Sequence, residues 1–193
     1  MIRHFNRAQG RILVGDGRPV KGRCIVIYYV GLLVLAVACG LAMGADAPKV
    51  GDLAPDVGAT DENGKEIRLS SFKGKSGVVV YFYPKADTPG CTKESCGFRD
   101  ELKTFSDKGY AILGVSRDGP EAQKAFKEKY QLNFPLLSDP KGELAAALGV
   151  TPGKRQTVVL DKEGKVERLY GTVEAATHAK DLLKDLGQKQ QGN

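Results

Sequence analysis

Val78-Val-Val-Tyr-Phe-Tyr-Pro-Lys-Ala-Asp-Thr-Pro-Gly-Cys-Thr-Lys-Glu-Ser-Cys-Gly-Phe-Arg-Asp100 carries the pattern that decides the fold. Its first six residues are β-branched and aromatic without a break, as in a strand buried on both faces. Pro84 ends the run. Phe98, Leu102 and Phe105 then recur at helical spacing. They predict a helix from near Cys91 to Lys108, with Gly109 as its C-terminal stop. The loop between strand and helix therefore lies at the edge of a sheet.

Downstream, Tyr110–Ser116 reads as a second buried strand and Pro120–Tyr130 as a helix with proline in its first turn. A short strand near Phe134–Leu137 and a helix near Pro140–Leu148 follow. Gln156–Asp161, the turn Lys162-Glu-Gly164 and Val166–Tyr170 form a hairpin, and Glu174–Leu186 closes the chain as a helix. Upstream, Asp52–Leu69 turns at Glu62-Asn-Gly64 and reads as an N-terminal β extension. Strands alternating with helices and ending in a hairpin predict a three-layer α/β domain with a central mixed β-sheet flanked by helices.

At 193 residues the chain suits one domain, and 41% apolar with 27% charged residues is a globular balance. The formal net charge of +6 raises the question of an anionic partner. Its distribution answers it. Residues 1–24 hold six basic residues against Asp16, a net of +5, and residues 25–47 hold only Asp46, so +2 is left for residues 48–193. A nearly neutral body gives no reason to expect a nucleic-acid partner.

The basic segment precedes an uncharged run from Cys24 to Met43, followed by small residues up to Ala47. This is the layout of an export leader. Three outcomes fit: a signal peptide cleaved before Ala45, an uncleaved membrane anchor, or lipid attachment at Cys39. In each, the positive-inside rule places the C-terminal domain outside the cytoplasm, periplasmic or otherwise extracytoplasmic, with membrane contact only through the leader. The division is thus leader 1–47 and C-terminal domain 48–193.

Cys24 and Cys39 belong to the leader, which leaves Cys91 and Cys96 in the domain. Two cysteines and His178 do not make up the four ligands of a structural zinc site. A Cys–His hydrolase is weak too, because the only candidate base, His178, reads as an exposed or helix-capping residue. Gly74-Lys75-Ser76 resembles the end of a phosphate loop, but Leu69 stands where the first glycine is needed.

Cys91 falls in the first turn of its helix, where free N–H groups and the helix dipole favour an anion and so the nucleophilic thiolate. Thr88, three residues earlier, offers a hydroxyl that both donates and accepts. Cys96 follows Cys91 by five residues, which is no Cys-x-x-Cys motif. On a regular helix that spacing separates the Cα atoms by about 8.7 Å. A disulfide needs less than roughly 7 Å. The two thiols therefore bond only if the first turns unwind. A static disulfide or two unrelated buried thiols are the alternatives.

Pro84-x-x-x-Thr88-x-x-Cys91 resembles the active-site signature of peroxiredoxins, and the longer run Tyr81–Asp100 is similar to their Q-type subgroup, the bacterioferritin comigratory proteins. The likeness continues through Gly51–Pro55, Phe72–Lys75, Gly114–Ser116, Phe134–Asp139 and Arg155–Asp161, covering roughly residues 50–186. It implies a thioredoxin-like fold and thiol-dependent reduction of hydrogen peroxide and organic hydroperoxides. Carried over by position, Cys91 is the peroxidatic cysteine, Thr88 hydrogen-bonds its thiolate and the peroxide, and Pro84 shields the site from water. Arg155 is the active-site arginine and Cys96 the resolving cysteine. The resemblance also implies a sulfenic acid on Cys91, a Cys91–Cys96 disulfide, recycling by thioredoxin or a similar dithiol, no cofactor or metal, and a monomer.

Physical chemistry fits these roles. A permanent charge and a rigid donor fork suit Arg155 to stabilise both thiolate and leaving oxygen. Lys93, Glu94 and Arg99 read as helix-surface residues. Family members usually carry an acid where Ala86 stands and an aromatic where Val57 stands, and the export leader departs from their usual cytoplasmic setting. The competing readings are a disulfide oxidoreductase, which lacks its Cys-x-x-Cys, and a redox-sensing or chaperone-like binding module, which has no use for Pro84, Thr88, Cys91 and Arg155 together.

Overall fold

The computed structural model describes residues 47–187. The leader expectations, with Cys24 and Cys39, lie outside the described residues. Among those described, seven strands form one mixed sheet in the order β2-β1-β5-β4-β3-β6-β7. They are β1 (Gly58–Asp61), β2 (Glu66–Arg68), β3 (Gly77–Phe82), β4 (Tyr110–Ser116), β5 (Leu136–Ser138), β6 (Gln156–Leu160) and β7 (Val166–Tyr170). The helices are α1 (Pro89–Asp100), α2 (Leu102–Asp107), α3 (Pro120–Tyr130), α4 (Glu143–Ala147) and α5 (His178–Gly187).

The unbroken apolar run does make an inner strand of the sheet. β3 pairs parallel with β4 and antiparallel with β6, and all six of its residues are buried. Alternation along it assigns two cores. Val78, Val80 and Phe82 face one layer with Leu144 and Leu148 near α4. Val79, Tyr81 and Tyr83 face the other, with Cys91 and Phe98 of α1, Phe126 of α3 and Leu182 of α5. The site lies on this second face. Gly114 of β4 makes room for it, since a Cβ there would fall 2.7 Å from the Tyr81 hydroxyl and 2.8 Å from Leu136.

Three helices differ from their sequence readings, the closing one starting at His178 rather than Glu174. The helix expected from Cys91 to Lys108 is interrupted at Glu101, where the backbone passes through φ −97°, ψ 4°. Gly97, a weak helix former, stands in the last turn of α1, and Arg99 Nη1 ties that end to α3 by donating to Tyr130 O at 2.8 Å. The α4 helix starts at Glu143 rather than Pro140, because Gly142 is left-handed at φ 74° and breaks the helical path. Asp139 then caps it, accepting from Ala145 N at 2.9 Å. The N-terminal hairpin joins the main sheet, β1 pairing antiparallel with β5.

Candidate active site

Four residues of α1 point inward: Cys91, Glu94, Ser95 and Phe98. They follow helical i, i+3, i+4, i+7 spacing, so one stripe of the helix is buried, and three of its four members are polar. Thr88 is the N-cap and Pro89 opens the helix. Thr92 N donates to Thr88 O at 2.8 Å, so the N–H groups of Gly90 and Cys91 precede the first helical bond. Cys91 is only 1% exposed.

Arg155 reaches this thiol from the sheet. The antiparallel register Phe82↔Gln156 sets Arg155 beside the end of β3, where the Cys91 loop departs. Its Nη2 donates to Cys91 Sγ at 3.3 Å. Gly90 permits the approach, because a Cβ there would lie 3.3 Å from Nη2. The other guanidinium nitrogen, Nη1, forms a close ion pair with Glu94 Oε2. Burial works against the arginine's charge, but Glu94 and Cys91 outweigh it, and its pKa stands above the ordinary value.

Glu94 and His178 are the residues that sequence reading misplaced. Glu94 is not a surface residue: its side chain is 0% exposed. His178 is neither exposed nor a simple cap. It opens α5, is 3% exposed, and its Nδ1 lies 2.8 Å from Glu94 Oε1. The edge of its ring meets Phe98 at 5.1 Å between centroids. A buried carboxylate must be paired or it is costly. Glu94 takes a guanidinium on one oxygen and an imidazole on the other. The i, i+3, i+7 spacing of Glu94 with Cys91 and Phe98 is the sequence signal for its burial that the surface reading passed over.

Pro84 is exposed and follows the buried Tyr83 directly. The Thr88 hydroxyl donates to Lys85 O at 3.0 Å, so the structure does not join it to Cys91. Cys96 is half-buried, and both thiols are free on one continuous helix. Cys96 lines a groove of about 500 Å³ with Lys93, Gly97, Ala175, Ala176 and Ala179.

The loop before α1 is held from outside. Ala86, where an acid was expected, donates its N–H to Asp118 Oδ2 at 2.7 Å, so a carboxylate from another element also holds the loop. Asp87 sits at φ 58° and accepts from Tyr130 Oη at 2.6 Å and Lys129 Nζ at 2.7 Å. The bonds to Lys129 and then Tyr130 lower its pKa. Beneath the loop, Tyr83 donates to Gln123 Oε1, and Gln123 Nε2 donates to Ser116 Oγ at 2.9 Å. Burial raises the Tyr83 pKa, which keeps its hydroxyl a donor.

A thioredoxin-like sheet presenting a buried thiol to a guanidinium at a helix N-terminus defines the class. Residues 50–169 match the AhpC/TSA family model, and the chain belongs to that family. Chloroplastic peroxiredoxin Q of Populus jackii is 44% identical over 142 residues, 69% of this chain and 66% of the relative, so the chain spans just under two thirds of that protein. The crystal structure of peroxidoxin BcpB from Mycobacterium tuberculosis superposes with a TM-score of 0.68 at 36% identity, over 75% of this chain and 99% of the other. The bacterioferritin comigratory protein of Xanthomonas campestris, described for its alkyl peroxide reduction activity, gives 0.66 at 34% identity, over 74% and 98%. These likenesses make it a peroxiredoxin of the Q type.

Proposed function

We propose that this protein is a thiol-dependent peroxidase acting on hydrogen peroxide and organic hydroperoxides. The observation that carries the reading is Arg155 Nη2 on the buried Cys91 sulfur at 3.3 Å. The Cys91 thiolate attacks one peroxide oxygen. An S–O bond forms, the O–O bond breaks, and the leaving oxygen departs with the electron pair and takes a proton from solvent. Arg155 stabilises the negative charge as it moves from sulfur to oxygen. Thr88 joins the substrate once its hydroxyl rotates away from Lys85 O, and Pro84 caps the loop that holds them.

Sulfur has now been oxidised to a sulfenic acid. The Cys96 sulfur attacks it, forming the disulfide and releasing water. Helix geometry requires the first turns of α1 to unwind for this step. An external dithiol of thioredoxin type then returns two electrons and two protons, and the groove beside Cys96 gives it access. Mixing the reduced protein with one equivalent of peroxide tests the cycle. The expected result is loss of two thiols per chain, a Cys91–Cys96 cross-linked peptide by mass spectrometry, and reduced far-ultraviolet helix signal. Consumption of peroxide with Cys96 still free would overturn the resolving role.

The leader 1–47 directs this chemistry across a membrane, a reading supported by the +5 charge before an uncharged run. No helix among the described residues is long and apolar enough to cross a membrane. Fractionation of cells with N-terminal sequencing is expected to find the protein outside the cytoplasm. Recovery from the cytoplasmic fraction with Met1 intact would refute export.

A further inference from the structure

Arg155 meets a carboxylate in an unusual way. Guanidinium and carboxylate normally close a fork, two parallel N–H···O bonds using two nitrogens and both oxygens. Here Nη1 serves Glu94 Oε2 while Nη2 serves Cys91 Sγ. The second carboxylate oxygen is occupied by His178 Nδ1 at 2.8 Å. Glu94 is fully buried, so no solvent competes for that oxygen.

We propose that His178 is a positioning residue: by holding Glu94 Oε1 it prevents the fork from closing and keeps Nη2 of Arg155 on the reactive sulfur. The inference rests on the peroxidase reading above. It deepens that reading by joining α5 to a site otherwise built from α1 and β6. The ring acts through one nitrogen only. Its Nε2 is buried without a hydrogen-bond partner, so the imidazole does not relay to a further group. Phe98, whose ring lies edge-to-face with the imidazole, and Tyr170, 6.4 Å away between centroids, hold its plane. The His178 backbone N–H donates to Glu174 O at 2.9 Å, fixing the head of α5.

Without this donor, both oxygens of Glu94 are free to take both guanidinium nitrogens. Nη2 then leaves the sulfur, and the developing charge on the leaving oxygen loses its partner. The test compares two reactions of Cys91 in the full chain: oxidation by hydrogen peroxide and alkylation by iodoacetamide. Only the first requires the guanidinium on a leaving oxygen. Compared at a pH high enough to ionise Cys91 fully in both proteins, His178→Leu is expected to slow oxidation by about 30-fold, the scale of a misplaced catalytic group, while alkylation, which needs only the thiolate, changes by less than about threefold.

His178→Asn sets an amide donor where Nδ1 stood and is expected to recover most of the loss. In an Arg155→Lys background, which cannot close a fork, His178→Leu is expected to add nothing further. His178→Gln, with its donor at the place of Nε2, supplies the same comparison if the leucine variant does not fold. Equal slowing of both reactions, an asparagine variant as slow as leucine, or full additivity with Arg155→Lys would each overturn the proposal. A parent protein that oxidises no faster than Cys91→Ser would instead overturn the peroxidase reading beneath it.

Discussion

Cys91→Ser is expected to reduce peroxide no faster than buffer does. The loss should reach about four orders of magnitude or more, the scale seen when an enzyme loses its nucleophile. A serine hydroxyl is not appreciably ionised at neutral pH and forms no sulfenic acid. The replacement is nearly isosteric in a site 1% exposed, and its oxygen can still accept from Arg155 Nη2. Stability should therefore stay within about 1 kcal/mol of the parent, the net worth of one hydrogen bond. Stopped-flow peroxide consumption and urea unfolding read the two quantities separately. Parent-like consumption by this variant would place the nucleophile elsewhere and end the assignment of Cys91.

Arg155→Met has two expected consequences because the arginine has two partners. The rate of Cys91 oxidation should fall by about 10²- to 10³-fold, as when one donor to a developing oxyanion is removed. The fold should also weaken, by up to about 3–5 kcal/mol, the cost of removing one member of a buried ion pair, since His178 alone is left on Glu94. The abandoned member is Glu94, whose carboxylate is 0% exposed, whereas the Arg155 side chain is 20% exposed. Methionine keeps the apolar stem, so lost packing contributes little. Arg155→Lys retains a charge for Glu94 but cannot serve two acceptors with a rigid fork. It should recover more stability than rate. A methionine variant with parental peroxide kinetics would remove Arg155 from the reaction, whatever its stability.

Much of the fold was open to local reading. The six apolar residues from Val78 marked an inner strand of the sheet, and Tyr110–Ser116 and Pro120–Tyr130 coincide with β4 and α3. Periodicity is a property of neighbouring residues, so it survives without tertiary information. Element ends were less legible. The interruption at Glu101 and the late start of α4 depend on Arg99 reaching Tyr130 and on Asp139 capping after Gly142. Neither partner is set by an apolar pattern. His178 was misplaced because a single histidine at a helix start usually faces water, and nothing adjacent to it says otherwise.

The sequence by itself determined the strand–loop–helix that carries Cys91, the five-residue interval to Cys96, and the +5 charge confined to the first 24 residues. Each is a matter of spacing or composition along a short stretch. The resemblance already set Arg155 at the thiol, but only the tertiary structure decided what else surrounds it and how. Arg155 lies 64 residues from Cys91, and His178 lies 84 residues from Glu94. The β3–β6 register brings the first to the site, and the packing of α5 on α1 brings the second. The burial of Glu94 between them follows from that convergence. A carboxylate enclosed by two separate elements is paired only because the fold supplies both partners at once.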